Sequence, residues 1–450
     1  MCFVYMFLLN LYYKGMPKYT TLEPVYALAT PFSPSALAVI RASGENSISL
    51  LSPYFTGKTD GITKSGMKHG YIVDGSGNKI DEVMVLFYRA GHGYTSEEAF
   101  EIMSHGSLAV IKSISMILEK AGFRKALPGE FTYRAFLHGR MDLTEAEAVE
   151  ELVKARSESG SREALERLDG SIKREAEAAK DEIVDILSSL EVYLDYGEDE
   201  IIDDWVFPED RVERIIRRLS DIESTYRASR LYSEGATVVL AGHTNAGKSS
   251  LFNALLKENR AIVSSEEGTT RDFIEASAEI NGIPIRLFDT AGLRNSDNYV
   301  EREGIKRSRS LMDDADLVVY VLDGNEKPGK ESGKIIYVHS KKDLTGDRDN
   351  LSFSSVTGEG IGDVANAISS YLTKDLVRVQ SVPTIESDRQ RERLSEAIEA
   401  LREAEEAKDK SADVLALFFQ AALSALSELT GEITSDEILD HLFSNFCLGK

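Results

Sequence analysis

The chain has 450 residues, enough for roughly two to four domains with sizeable cores. Its formal net charge of −23 excludes a protein that simply coats nucleic acid, since neutralising phosphates takes a basic surface, although a local basic groove stays open. The only cysteines, Cys2 and Cys447, exclude a disulfide scaffold and fit a reducing compartment.

The first thirteen residues are apolar but too short to span a bilayer. They carry neither a basic leader nor a small-residue cleavage site, so a soluble cytoplasmic protein with no membrane role is expected. Met16 lies just before the first recognisable strand, and an over-extended start fits as well as a real extension.

Residues 17–140 mix strands with one or two helices, an α+β unit. Residues 25–30, 36–41 and 82–88 read as strands, with turns at Gly44 and Gly91 to Gly93. Ser96, Glu97 and Glu98 open a short helix or continue a loop, and Phe100 to Met103 is a short apolar piece. Residues 107–121 have helical apolar spacing, stopped by Gly122. Arg41, Glu101, His105 and Arg134 sit in or beside apolar runs and read first as residues that close hydrogen bonds and ion pairs.

Residues 141–235 are helical. Ile172, Ala176, Ala179, Ile183, Ile186, Leu190 and Tyr193 recur at spacings of three and four, the mark of a long amphipathic helix. An acidic break at 198–204 precedes Pro208, which starts a helix expected over 209–229. The charged runs here read as a solvated face.

Residues 236–371 carry the chemistry. Gly242-His243-Thr244-Asn245-Ala246-Gly247-Lys248-Ser249 is GxxxxGK[ST], between the apolar run Thr237 to Ala241 and a helix start at Ser250. Its backbone N–H groups can curl around a β-phosphate, Lys248 can reach the β- and γ-phosphates, and the Ser249 hydroxyl can bind Mg²⁺. Thr269 and Thr270 lie in a polar, glycine-containing loop that can place a hydroxyl on Mg²⁺ when a γ-phosphate is present. Residues 273–280 and 283–288 flank Asn281-Gly282, a strong hairpin signal, and the second strand ends at Asp289-Thr290-Ala291-Gly292. Asp289 can hold Mg²⁺ through water, and the Gly292 backbone can contact a γ-phosphate. After two further strands, at 317–322 and 335–338, comes Ser340-Lys341-Lys342-Asp343. Asp343 can accept from N1 and N2 of guanine, a pattern adenine lacks, while Lys341 lays its stem along the base. Ser354-Ser355-Val356-Thr357-Gly358 can present a backbone N–H to guanine O6. The order of these pieces, each after a strand, resembles the full set of a translation-factor-related GTPase. That class usually has Asn at Ser340, which would tether the base-recognition loop to the phosphate loop more firmly.

Residues 372–450 read as helices over 388–407, 412–430 and 435–443. One helical bundle built from both helical segments, with the nucleotide domain inserted between them, buries their apolar faces most simply. In the tail Phe446-Cys447-Leu448-Gly449-Lys450, Phe446 and Leu448 are expected to anchor in an apolar pocket while Cys447 points toward a bound ligand or a partner protein. Either a docked tail or a catalytic thiol fits that composition.

Taken together, the chain resembles the MnmE (TrmE) family of tRNA uridine-modification GTPases. The resemblance rests on Ala29-Thr30-Pro31 with Val39-Ile40-Arg41, on Tyr94-Thr95-Ser96-Glu97-Glu98, and on Pro128-Gly129-Glu130-Phe131-Thr132. It continues through Arg134-Ala135-Phe136-Leu137, the run Asp142 to Ala148, Asn245 to Ser249, Asp289-Thr290-Ala291-Gly292-Leu293-Arg294, and the tail. It implies a multidomain α+β and α/β fold: an N-terminal α+β folate-binding, dimerising domain, a split helical bundle over 141–235 and 372–450, and an inserted Ras-like P-loop GTPase domain.

The resemblance further implies Mg²⁺, GTP as substrate, a formyl-tetrahydrofolate and a homodimer. An FAD-dependent MnmG (GidA)-like partner would act with it to place an aminomethyl or carboxymethylaminomethyl group at C5 of the wobble uridine of certain tRNAs. Arg41, Glu101, Arg140 and Lys450 would be folate-side residues and Cys447 would act in the modification. Arg140 stands where the family often has Lys, Ser33 to Ala36 replaces a glycine-rich stretch, and His105-Gly106-Ser107 replaces His-Gly-Gly. Glu301 would orient the attacking water, because Leu293 cannot. A K⁺ would bind through Asn245 with Ser264, Glu266 and Thr269, while Ser250, Ala246 and Gly247 complete the phosphate contacts. A regulatory or ribosome-assembly GTPase is the alternative.

Overall fold

A computed structural model describes residues 19, 21–196, 205–258, 274–289, 311–323, 326–328, 333–345, 350–374, 376 and 382–450. In chain order its strands and principal helices begin with β1 (Val25–Leu28), β2 (Ser35–Ser43), β3 (Ser65–Val73), β4 (Lys79–Tyr88), β5 (Ala99–Gly106), α1 (Leu108–Lys120), β6 (Arg124–Lys125) and α2 (Glu130–Leu137). Then come α3 (Leu143–Lys154), α4 (Glu158–Leu168), α5 (Ser171–Tyr196), α6 (Glu209–Ser224) and α7 (Tyr226–Glu234). The nucleotide region holds β7 (Ala236–Gly242), α8 (Lys248–Glu258), β8 (Ile274–Ile280), β9 (Ile283–Asp289), β10 (Leu317–Leu322), β11 (Ile335–His339) and α9 (Ile361–Thr373). The chain closes with α10 (Asp388–Glu406), α11 (Ala412–Thr430) and α12 (Asp436–Ser444). The architecture is thus an α+β and α/β multidomain fold. Contacts group it into two units, one of residues up to Glu150 with Lys173–Trp205 and Asp409–Lys450, the other of Glu151–Ile172 with Val206–Lys408.

In the first unit six strands run β3-β4-β5-β2-β1-β6, antiparallel except for the β1–β6 pair. Alternation along β5 buries Phe100, Ile102 and Ser104 on one face and leaves Glu101, Met103 and His105 more open on the other. Phe100 and Ile102 pack with Ile40, Val85, Phe87 and the α1 residues Ile111, Ile114 and Ile117 in one core. The edge strand β3 has no counterpart in the sequence reading, because Lys68, His69 and Gly70 break its apolar pattern. All four embedded polar residues close pairs: Arg41 and Glu101 pair with each other (2.7 Å), Arg134 lies fully buried against Glu130 (2.9 Å) and Glu97 (3.1 Å), and His105 Nδ1 is 2.8 Å from Asp81.

The start of α3 is a reciprocal cap: Asp142 Oδ1 accepts from Glu145 N (2.8 Å), and Asp142 N donates to Glu145 Oε2 (2.7 Å). The long helix α5 buries Ile172, Ala176, Ala179, Ile183, Ile186 and Leu190, the three-and-four stripe of the sequence. Among the described residues α11 is the one helix long and apolar enough to cross a membrane, yet Leu415, Phe419, Ala422, Leu426 and Leu429 are buried in it. The helices of the helical region divide between the groups: α5, α11 and α12 count almost wholly with the first unit, and α4, α6, α7 and α10 with the second.

The second unit is built on a five-stranded sheet, β11-β10-β7-β9-β8, parallel but for the antiparallel edge strand β8. Its interior strands read as nearly continuous apolar runs because both faces are covered. The β8–β9 turn places Asn281 at φ 51° and Gly282 at φ 82°, the two left-handed residues that a two-residue hairpin requires. The single helix expected over 209–229 is two helices broken at Thr225. Its hydroxyl donates to Ile222 O (2.7 Å) and accepts from Ile385 N (3.1 Å), so a side chain competes with the helical backbone ladder there. Arg167, 1% exposed, is held by Glu151 and Glu386 (both 2.6 Å) and by Thr384 (2.7 Å). This cluster ties α3 and α4 to the segment that leads into α10.

Candidate functional site: a nucleotide cradle and a docked tail

Register brings the nucleotide motifs to one edge. Leu240 of β7 pairs with Asp289 of β9, Gly242 with Val321 of β10, and Leu322 with His339 of β11. The phosphate loop, Asp289 and the Ser340 segment therefore all leave the carboxyl ends of the strands, where open parallel sheets bind ligands. Gly242 sits at φ 137°, and a Cβ there would lie 2.3 Å from Val321 O, so only glycine lets the loop turn this close to β10. Asn245 (φ 59°) and Gly247 (φ 102°) are also left-handed, which turns successive backbone N–H groups inward. Lys248 is buried, and its Nζ donates to Gly242 O (2.9 Å) and His243 O (2.7 Å). Ser249 and Ser250 are exposed in the first turn of α8, and the Asp289 carboxyl is buried at its strand end. The buried Ala246 donates its N–H to His243 O at 3.3 Å.

Ser340 is buried, and its hydroxyl donates to Leu322 O at 3.2 Å. A Cβ on Gly247 would lie 3.3 Å from Ser340 Cβ, so a side chain there would crowd the Ser340 segment. Lys341 adopts φ 61° and pairs with Asp323 at 2.7 Å. Asp343 stands exposed in the short helix Lys342–Thr345. Lys342 N donates to Phe353 O (3.0 Å), which stitches this helix to the next loop. There Ser354, fully buried, accepts from Val356 N and Thr357 N (both 3.2 Å), while Ser355 and Val356 are exposed. The structure thus brings together Asn245 to Ser250, Asp289, Ser340, Lys341, Asp343 and Ser354 to Val356. Ser264, Glu266, Thr269, Thr270, Thr290, Ala291, Gly292 and Glu301 lie outside the described residues.

The second constellation lies in the first unit. Arg41 and Glu101 face each other across β2 and β5, with Arg41 Nη2 2.7 Å from Glu101 Oε1. The Arg41 guanidinium is 5.6 Å from the Tyr94 ring and 5.5 Å from the Phe131 ring. Burial raises the Tyr94 phenol, which hydrogen-bonds Thr132 at 2.9 Å. The tail docks on this group through its backbone: Arg41 Nη1 donates to Gly449 O (2.9 Å), and Phe131 N to Lys450 O (3.2 Å). Phe446 is buried against Phe443, their rings 5.3 Å apart. Leu448 does not anchor as expected; it is 55% exposed, because Phe446 and these backbone bonds already fix the chain. Cys447 is a free, exposed thiol. Arg140 is exposed just beyond α2, and among the described residues no contact joins it to Arg41, Glu101 or Lys450. Sequence reasoning passed over Tyr94 and Phe131 as flanks of Arg41, although both lie in its characteristic stretches.

Comparison with known proteins covers almost all of the chain. The family model for the MnmE helical domain matches residues 143–447, and that for the GTP-binding protein TrmE N-terminus matches 24–140. The tRNA modification GTPase MnmE of Borrelia recurrentis (strain A1) is 40% identical over 460 residues, 95% of this chain and 98% of that protein. Those of Treponema denticola (37%, covering 96% of this chain and 99% of that one) and Aquifex aeolicus (35%, 95% and 100%) are also similar. With family models over both its N-terminal and helical parts, and relatives that match along their whole length, the chain belongs to the MnmE family of tRNA modification GTPases.

Proposed function

We propose that this protein hydrolyses GTP and couples hydrolysis to placing an aminomethyl or carboxymethylaminomethyl group at C5 of the wobble uridine of certain tRNAs. It acts with an FAD-dependent MnmG (GidA)-like partner and takes a one-carbon unit from 5-formyltetrahydrofolate or a related folate. It works as a homodimer in the cytoplasm, without a membrane. Its domains are the N-terminal 17–140, the helical 141–235 and 372–450, and the GTPase 236–371. The observation that carries this reading is the tail. Its Gly449 carbonyl accepts from Arg41 of the Arg41–Glu101 pair, and Cys447, two residues earlier, is an exposed thiol.

In the cradle, Lys248 and the backbone from Asn245 to Ser249 hold the phosphates, and Asp343 selects guanine with Lys341, Ser355 and Val356 around it. Ser249 and Asp289 fit Mg²⁺, being a hydroxyl at a helix start and a carboxylate at the adjoining strand end. Thr270 supplies the second hydroxyl, and Glu301 orients water. Asn245, exposed and left-handed, offers a carboxamide oxygen to K⁺, with Ser264, Glu266 and Thr269 completing its shell. A cation there offsets charge on the transferring phosphate. Arg41, Glu101, Arg140 and Lys450 hold the folate, and the rings of Tyr94 and Phe131 suit a flat heterocycle.

The test is reconstitution: the purified protein, the FAD-dependent partner, unmodified tRNA, GTP and the folate, with nucleoside analysis as readout. Omitting GTP or folate should each abolish the product, and replacing potassium by sodium at equal ionic strength should lower it. Product formed without either GTP or folate would overturn the reading.

A further inference from the structure

We infer that Asp323 and Glu326, just after β10, position the guanine nucleotide: they tie the base-recognition loop to the phosphate loop and supply the tether that Ser340 is too short to make. The inference rests on reading these loops as the guanine-nucleotide site. Ser340 commits its hydroxyl to Leu322 O, and among the described residues no hydrogen bond from it reaches the phosphate loop. Lys341 meanwhile holds a left-handed φ of 61°, a conformation that side-chain-bearing residues disfavour and that a partner must hold in place.

The partner is Asp323. Its two carboxylate oxygens lie 2.7 and 2.9 Å from Lys341 Nζ. Asp323 and Glu326 then close on one another: Glu326 N donates to Asp323 O (2.9 Å), and Asp323 N donates to Glu326 Oε2 (3.2 Å). The other oxygen of Glu326 lies 3.1 Å from His243 Nε2. His243 is the second residue of the phosphate loop. Its ring is edge-on to Tyr320 (6.4 Å, 87°), and its carbonyl accepts from Lys248 Nζ at 2.7 Å. A continuous path therefore runs from Lys341, under the base, through Asp323, Glu326 and His243 to Lys248, under the phosphates. The Lys341–Asp323 ion pair and the His243–Glu326 contact are each partly exposed and weak alone. Linked through backbone bonds, they restrain both loops together.

The test is release of a fluorescent GDP from the full chain by stopped flow, for wild type, Glu326→Gln, Glu326→Asp and Asp323→Asn. Each variant is made with Ser340 and again with Ser340→Asn. In the Ser340 background each should release GDP about fivefold faster, the scale of one such link. Glu326→Asp should behave like Glu326→Gln, because it keeps the charge but falls short of His243. Ser340→Asn alone should slow release, and with it in place the other substitutions should cost less than about twofold, since two tethers then act in parallel. Unchanged release in the Ser340 background, or the same loss in both backgrounds, would overturn the inference. A wild-type chain that holds no GDP would instead overturn the nucleotide-site reading, and this inference with it.

Discussion

Asp343 carries the most specific of the residue-level expectations. The Ser340-Lys341-Lys342-Asp343 segment leaves a parallel strand at the sheet's carboxyl edge, and the Asp343 side chain is exposed. Two charge-assisted bonds to guanine are expected from it, so Asp343→Asn should weaken GTP binding by about 100-fold and improve xanthosine triphosphate, whose base offers a carbonyl at position 2. Binding constants for both nucleotides check this, and an unchanged GTP affinity would remove the role. Asp142 was legible only as part of a characteristic run, because a sequence does not report burial. Desolvation raises its carboxyl from 3.8 to about 6, against the bonds it receives from Glu145 N and Thr144. Since the folded state holds the proton more tightly, ionisation costs stability on the order of 3 kcal/mol well above pH 6, and about half of that at pH 5. Asn keeps the helix cap without the charge. Asp142→Asn should therefore raise the melting temperature of the first unit at pH 7.5 by a few degrees, with a smaller gain at pH 5. A gain that is equal at both pH values would show that burial of the charge is not the cause.

At the scale of elements, strong periodicity carried furthest. The α5 stripe, the Asn281-Gly282 hairpin and the apolar core strands of the nucleotide sheet were readable because one physical signal dominates each. The edge strand β3 and the break at Thr225 were not, since each depends on a distant partner: β4 in one case, Ile385 in the other. The tail belongs with these. Its docking bonds come from Arg41 and Phe131, several hundred residues away, and no local pattern announces them. Within the tail Gly449 leaves little room for a side chain, being at φ 89° with a Cβ site 3.1 Å from Leu28 O. An Ala there costs about 1 kcal/mol in backbone conformation alone, before any crowding. Gly449→Ala should speed hydrogen exchange at the Phe131 amide by roughly five- to tenfold and leave GTP turnover near normal. Equal protection in both proteins would show that the tail is held by Phe446 alone.

For the whole molecule, the grouping of helices was the least legible feature. Each apolar face announces that it needs cover but not which helix supplies it, and contacts divide the expected bundle's helices between two units. Function was more accessible than packing, because the nucleotide motifs and the tail are short, ordered and chemically specific. The central claim is that guanine-nucleotide turnover and tail chemistry are separate parts of one tRNA modification. The direct measurement is nucleoside analysis of tRNA from cells lacking this gene and carrying wild type, Lys248→Ala, Cys447→Ala or Cys447→Ser, alongside GTP turnover of each purified protein. The C5-substituted wobble uridine should return with wild type only. Turnover should be lost in Lys248→Ala and stay near normal in both Cys447 variants. Full modification with Cys447→Ala, or with Lys248→Ala, would contradict the claim.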